Sequence, residues 1–261
     1  MTDSTGLLAG KRLLITGVLT EASIAFATAR VAQEQGAEVV LTGFGKGLRL
    51  TRRVAARLPE EPPVLEMDVT DDDQVQTVIS DLTERWGSLD GLVHAIGFAP
   101  ASAIGGDFMQ TPWADVSTAV QISTYSFAAL ARAMAPLLAE AGGGSYVGLD
   151  FDAAVAWPSY DWMGFAKSGL ESACRYVARE LGAQGTRVNL VAAGPLKTMA
   201  ARQIEGFASF EDTWDDRAPL GWDVADATPV GNVVCALLSD FMPAVTAEII
   251  HCDGGVHAMG V

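Results

Sequence analysis

Tyr160 and Lys167 stand seven residues apart in the stretch Trp157-Pro158-Ser159-Tyr160-Asp161-Trp162-Met163-Gly164-Phe165-Ala166-Lys167. At about 3.6 residues per turn this is two helical turns, so a helix would carry both side chains on one face. A phenol is protonated at neutral pH and can donate to an oxygen gaining negative charge. An ammonium nearby would stabilise that charge or hold a sugar hydroxyl. Pro158 suits the first turn of such a helix. On an arbitrary helix the same pair would be a packed tyrosine and a solvated lysine, so its meaning depends on the elements around it.

Seven apolar, β-rich runs alternate with helical patterns: Arg12–Thr16, Glu38–Thr42, Val64–Met67, Leu89–Ala95, Ser145–Leu149, Arg187–Val191 and Glu248–His251. They are apolar on both faces, as parallel strands between helices should be. Val75, Val78, Ile79, Leu82 and Trp86 recur at steps of three and four, one face of a helix opened by Asp71 to Asp73, whose carboxylates suit its dipole. Such alternation predicts right-handed βαβ units in one doubly wound parallel α/β sheet of seven strands, a single domain over residues 1–261. Ligands then bind beyond the carboxyl ends of the strands. Tyr160 and Lys167 follow the fifth strand.

The first strand runs into Thr16-Gly17-Val18-Leu19-Thr20-Glu21-Ala22-Ser23-Ile24-Ala25. Gly17 permits the tight turn of a dinucleotide cradle, while Ser23 is either a phosphate donor or a plain helix cap. The second strand ends in Gly43-Phe44 with no acidic residue to read ribose hydroxyls. Phe44 therefore lies against an adenine or packs at the edge, and Lys46 and Arg49 leave NADPH open beside NADH. Asp68 and Val69 follow the third strand, where the carboxylate takes an adenine amino group or caps the next helix. In His94-Ala95-Ile96-Gly97-Phe98, Gly97 would let the backbone approach a cofactor, and His94 reads as structural. After the sixth strand Gly194-Pro195 forces a turn. The Leu196 backbone could meet a nicotinamide carboxamide, and Thr198 is a pyrophosphate donor or a helix cap.

These stretches resemble the enoyl-acyl-carrier-protein reductases of bacterial type II fatty acid synthesis, the FabI type with its InhA-like branch, within the short-chain dehydrogenase/reductase superfamily. The resemblance rests on Ser23-Ile24-Ala25 after Gly17, His94 to Phe98, Tyr160-x-Trp162-Met163-x-x-x-Lys167, Asn189 to Pro195, Asp226-Ala227-Thr228-Pro229 and Asp253-Gly254-Gly255. It runs in order from about Leu7 to His257. Most of the superfamily sets its lysine four residues after the tyrosine, with a serine about thirteen before it. Val147, Met163 and the wider spacing here fit enoyl reduction rather than ketone chemistry.

The resemblance implies a Rossmann-type domain that reduces a trans-2-enoyl thioester on acyl carrier protein with NADH. Tyr160 would bond the thioester oxygen and Lys167 the nicotinamide ribose. Phe151, Met163 and Met199 would join Tyr160 on the substrate side. Gly17, Ser23, Ile24, Asp68, Val69 and Ile96 would line the cofactor, with Lys167 and Leu196. A segment at about 196–220 would cover the substrate, and a homotetramer is the family's usual assembly. Two departures stand out. Ala95 replaces a common serine whose hydroxyl supports water near the cofactor, and Met199 to Arg217 looks short for very long acyl chains.

A formal charge of −15 argues against nucleic acid or an anionic membrane as partner. It also requires a local basic spot for an acidic carrier protein, for which Lys197 and Arg202 are candidates. No apolar run looks long enough to cross a membrane and the start has no signal-type core, so a cytoplasmic setting is expected. Cys174, Cys235 and Cys252 are widely spaced and read as small reduced hydrophobes, and a metal site is not expected. Two rival readings remain at this stage: another short-chain oxidoreductase acting on a keto or enoyl substrate, and a non-catalytic binding protein on the same fold.

Overall fold

The computed structural model describes residues 6–105, 107–201 and 207–260. All seven expected strands form: β1 Arg12–Ile15, β2 Glu38–Gly43, β3 Val64–Glu66, β4 Gly91–His94, β5 Ser145–Asp150, β6 Arg187–Ala193 and β7 Ile249–Cys252. They make one parallel sheet ordered β3-β2-β1-β4-β5-β6-β7, so the order reverses between β1 and β4. That reversal opens a crevice at the carboxyl ends.

Alternate strand residues feed two cores. Leu13, Ile15, Val39, Leu41, Val93 and Val191 face α1 (Ile24–Glu34) and α8 (Thr228–Leu238). Leu14, Val40, Leu92, Tyr146 and Leu190 face α3 (Asp72–Trp86), α5 (Ser126–Glu140) and α6 (Asp161–Leu181). The helices α2 (Gly45–Ala55), α4 (Trp113–Val120) and α7 (Phe207–Arg217) complete the layers. In α3, Val75, Val78 and Leu82 are buried, while Ile79 and Trp86 pack partly against the same core. The Asp71 carboxylate caps this helix, accepting from Asp73 N at 3.0 Å and Gln74 N at 3.1 Å.

Strand ends differ from expectation for local reasons. Expected to reach Ala95, β4 stops at His94, because the Ala95 N–H turns aside to donate to Thr16 Oγ1. That hydroxyl in turn donates to Val93 O, locking the exits of β1 and β4 together. The run Trp113–Glu140, contrary to the expectation, is long and apolar enough to cross a membrane by length and composition alone. Here Phe127, Leu130 and Met134 of this run are buried against the sheet.

Candidate active site

The exits of β1, β4, β5 and β6 meet in one cleft. At β1, Gly17 has φ +77°, and a Cβ there would lie 2.0 Å from Ala95 O. No other residue fits so close to the β4 exit. Ser23 caps α1: its hydroxyl accepts from Phe26 N and donates to Thr20 O at 2.7 Å. The cap reading therefore holds, and the positive end of α1 faces the cleft beside Ser23 and Ile24. Ala95, Ile96 and Gly97 line the facing wall. At Gly97 a Cβ would meet only Ser123 Oγ at 3.9 Å, so no protein atom requires glycine there.

The β5 exit carries Leu149, Asp150 and Phe151, and the turn that follows presents Tyr160. The expected helix start is corrected here: α6 begins at Asp161, with Pro158 in the turn before it. Ser159 (φ +57°) and Asp161 (φ +41°) are both left-handed, so Tyr160 sits at the N-cap between two strained residues. Tyr160, Met163 and Lys167 still line the same cleft, as two turns of spacing require. The Tyr160 ring lies 5.1 Å from that of Phe151.

Tyr160 and Lys167 are each 8 % exposed. The Lys167 ammonium donates to Leu149 O at 2.8 Å. Burial lowers its pKa, opposed by the charge of Asp150. Burial, and then the same carboxylate, push the Tyr160 phenol upward, so it stays a donor at any ordinary pH. Among the described residues nothing bonds its hydroxyl. Asp150 was not singled out from sequence, although a charged residue ending an otherwise apolar strand was a usable signal. Burial raises its pKa to about 7 against the pull of Lys167.

His94 is fully buried beneath this cluster, its Nε2 2.8 Å from Ser126 Oγ. Because Ser126 donates its own proton to Ile122 O, Nε2 must carry the hydrogen, which leaves Nδ1 a bare acceptor. Burial holds this imidazole neutral, with its pKa lowered to about 3. The structural reading of His94 fits one of its nitrogens and leaves the other unmatched.

At the β6 exit, Leu196 and Thr198 line the cleft, and Thr198 Oγ1 accepts from Ala201 N at 3.2 Å. Above them α7 brings Phe210 and Trp214, at a spacing sequence reading could have caught. The Phe151 ring centroid lies 5.8 Å from that of Phe210, and that of Trp157 lies 5.4 Å from that of Trp214. Trp214 Nε1 ties this cover to the β7 exit by donating to Asp253 O, and two neighbouring indoles bond strand exits beside it, Trp157 Nε1 to Asp152 O and Trp222 Nε1 to Pro195 O. Gly194 lies under two of them; a Cβ there would come within 2.8 Å of both Trp214 and Trp222.

Four expected site residues lie outside this cleft lining. Phe44 is exposed at the N-cap of α2. Asp68 is not the cap of α3, a role Asp71 takes; its carboxylate accepts from Thr70 N and Oγ1. Val69 lines a separate groove between α3 and α5. Met199 is partly exposed in the turn after β6. Of the two basic candidates, Lys197 pairs with Glu211 of α7 at 3.0 Å, and Arg202 lies outside the described residues. Cys174 and Cys235 are buried, Cys252 is partly so, and all three are free thiols. Among the described residues no three His, Cys, Asp or Glu side chains converge as a metal site.

A family model described as enoyl-(acyl carrier protein) reductase matches residues 17–257. The chain is 50% identical to the enoyl-(acyl-carrier-protein) reductase (NADH) of Mycolicibacterium smegmatis, over 96% of this chain and 97% of that one. It is 47% identical to the enzyme of the same name in Mycobacterium avium, over 96% and 97%. Identity is 42% to the enoyl-(acyl-carrier-protein) reductase (NADH) FabI of Neisseria meningitidis, over 96% of each chain. The matched span begins at Gly17, the first strand exit, and ends at His257, beyond the last.

Proposed function

Because the chain belongs to the enoyl-(acyl-carrier-protein) reductase family, we propose that it reduces the trans-2 double bond of an enoyl thioester with NADH, in fatty acid synthesis. The observation that carries this reading is the hydroxyl of the largely buried Tyr160, unbonded among the described residues, sharing a cleft with a buried lysine.

The cleft fits a dinucleotide. Gly17 brings backbone close at the β1 exit, the α1 N-terminus favours a pyrophosphate, and Lys167 offers donors where a ribose would lie. When bound, the nicotinamide supplies the hydride for the β-carbon. Tyr160 donates to the thioester oxygen as charge moves onto it, stabilising the enolate before its α-carbon is protonated. Lys167 holds the cofactor's ribose hydroxyls, and Leu196 its carboxamide. Phe151, Met163 and Met199 flank the acyl chain, while α7 and its aromatic residues keep water from the enolate. The segment 196–220 acts as the cover of a single domain spanning residues 1–261. Phe44, Asp68 and Val69 serve the adenosine end.

The substrate arrives on acyl carrier protein. Lys197 reaches that acidic partner only by loosening from Glu211. A homotetramer working in the cytoplasm is the proposed assembly and setting. Light scattering of the purified protein tests that assembly. The reaction is tested by loss of NADH absorbance. Crotonyl thioester should be turned over and acetoacetyl thioester should not, and the opposite preference would make the protein a ketone reductase.

A further inference from the structure

Asp150 ends β5, in register with Ala192 of β6, and is 6 % exposed. By hydrogen-bond geometry neither carboxylate oxygen has a partner among the described residues, although the backbone N–H of Phe151 lies close enough to favour its charged form. A carboxyl removed from water without donors is costly, and a neutral side chain of the same size would fill the space without that cost. The cleft supplies a reason. Asp150 lines it together with Lys167, whose ammonium is held by the carbonyl of Leu149, the residue just before Asp150. Among the described residues only a neutral oxygen bonds that buried ammonium, and burial favours its loss of a proton. The titratable groups that face Asp150 are Lys167, Glu171 and Cys174 on α6, Asp152 in its own segment and Tyr160 in the turn. His94 on β4 faces Lys167 from below. Of all these, Lys167 alone is cationic.

We propose that Asp150 is a positioning residue for Lys167: from beyond ion-pair distance in the same cleft, its carboxylate holds the ammonium in its charged form beside Leu149 O, at the expense of fold stability. The proposal rests on the reading of Lys167 as a cofactor ligand. The stability consequence has a definite sign. Burial holds the Asp150 carboxyl up at about 7, above the usual carboxylate range. Between those values the folded protein binds more protons than the unfolded chain, so stability falls as pH rises through that window.

Asp150→Asn resembles the protonated group. By thermal melting of the free protein it should be more stable than wild type at about pH 8, with the gap closing towards about pH 5. The same variant should bind NADH about tenfold more weakly by fluorescence titration. Its alkaline loss of affinity should begin at lower pH, and KM for NADH should rise more than kcat falls. Asp150→Glu, which restores the charge, should recover part of the affinity. Wild-type NADH affinity and pH profile in Asp150→Asn would overturn the proposal, as would a melting temperature lowered equally at every pH, the mark of a purely structural residue. Unchanged NADH affinity in Lys167→Ala would remove Lys167 as a cofactor ligand and the proposal with it. That failure is distinguishable, because the melting comparison uses no cofactor.

Discussion

The carboxyl edge of the sheet has two ends that treat polar groups in opposite ways. At the outer end, beyond β2 and β3, Phe44, Lys46 and Arg49 are exposed, and the Asp68 carboxylate is already engaged by Thr70. Among the described residues, at the inner end around β4 to β6, the Asp150 carboxylate oxygens and His94 Nδ1 are buried without a geometric hydrogen-bond partner, and the Tyr160 hydroxyl is unbonded. A lone hydrogen bond offered in water is worth little, whereas the same donor in a dry, fixed setting meets developing charge at full strength. The inner end therefore holds the groups whose removal should matter most, and the outer end should tolerate change.

The largest effect should come from Tyr160→Phe. Loss of an oxyanion donor costs about 10²–10³ in rate, with NADH affinity left near wild type. A single-turnover assay that finds unchanged chemistry would take Tyr160 out of the mechanism and erase the contrast. Lys167→Ala should follow, weakening NADH by about ten- to a hundredfold, since hydrogen bonds from a charged donor are the stronger kind. Fluorescence titration reads this directly.

The outer end should respond less. Phe44→Ala should weaken NADH by a few-fold, about what one aromatic contact contributes, and wild type should favour NADH over NADPH in kcat/KM. A larger loss at Phe44 than at Lys167 would invert the comparison. The smallest effect belongs to Ala95→Ser, at the hinge between the two ends. Its backbone N–H is already taken by Thr16, so the new hydroxyl adds at most one water-mediated contact. NADH should tighten no more than several-fold, with kcat little changed. Equal or weaker binding would mean that the alanine simply fills its place.

The same contrast explains what sequence could reveal. Strands that are apolar on both faces announce themselves, and so does Asp71 as a helix cap, because each depends on its immediate neighbours; for Ser23 the sequence left cap and phosphate donor open, and the structure shows the cap. Tyr160 and Lys167 were legible from helical spacing, yet the true start of α6 was not. It depends on left-handed backbone at Ser159 and Asp161, residues that carry no glycine to signal it. Asp150 could have been noticed as a charge ending an apolar strand, but its role could not be read there. Its significance lies in donors that are missing, and only the packed chain can show which donors are missing. Phe207, Phe210 and Trp214 were available as a helical stripe, but their target, the Phe151–Trp157 pair, is brought beneath them only by the tertiary fold.

The indoles on and beside the cover also give the protein optical properties. Trp157 and Trp214 have ring centroids 5.4 Å apart at an interplanar angle of 40°, close and skewed enough for their excited states to couple. Such a pair produces a paired band in far-ultraviolet circular dichroism that fades when the rings separate. Any displacement of α7 moves Trp214 relative to Trp157, and reduced nicotinamide absorbs where tryptophan emits. The position of the cover and the occupancy of the cleft can thus be followed at separate wavelengths, without attaching a label.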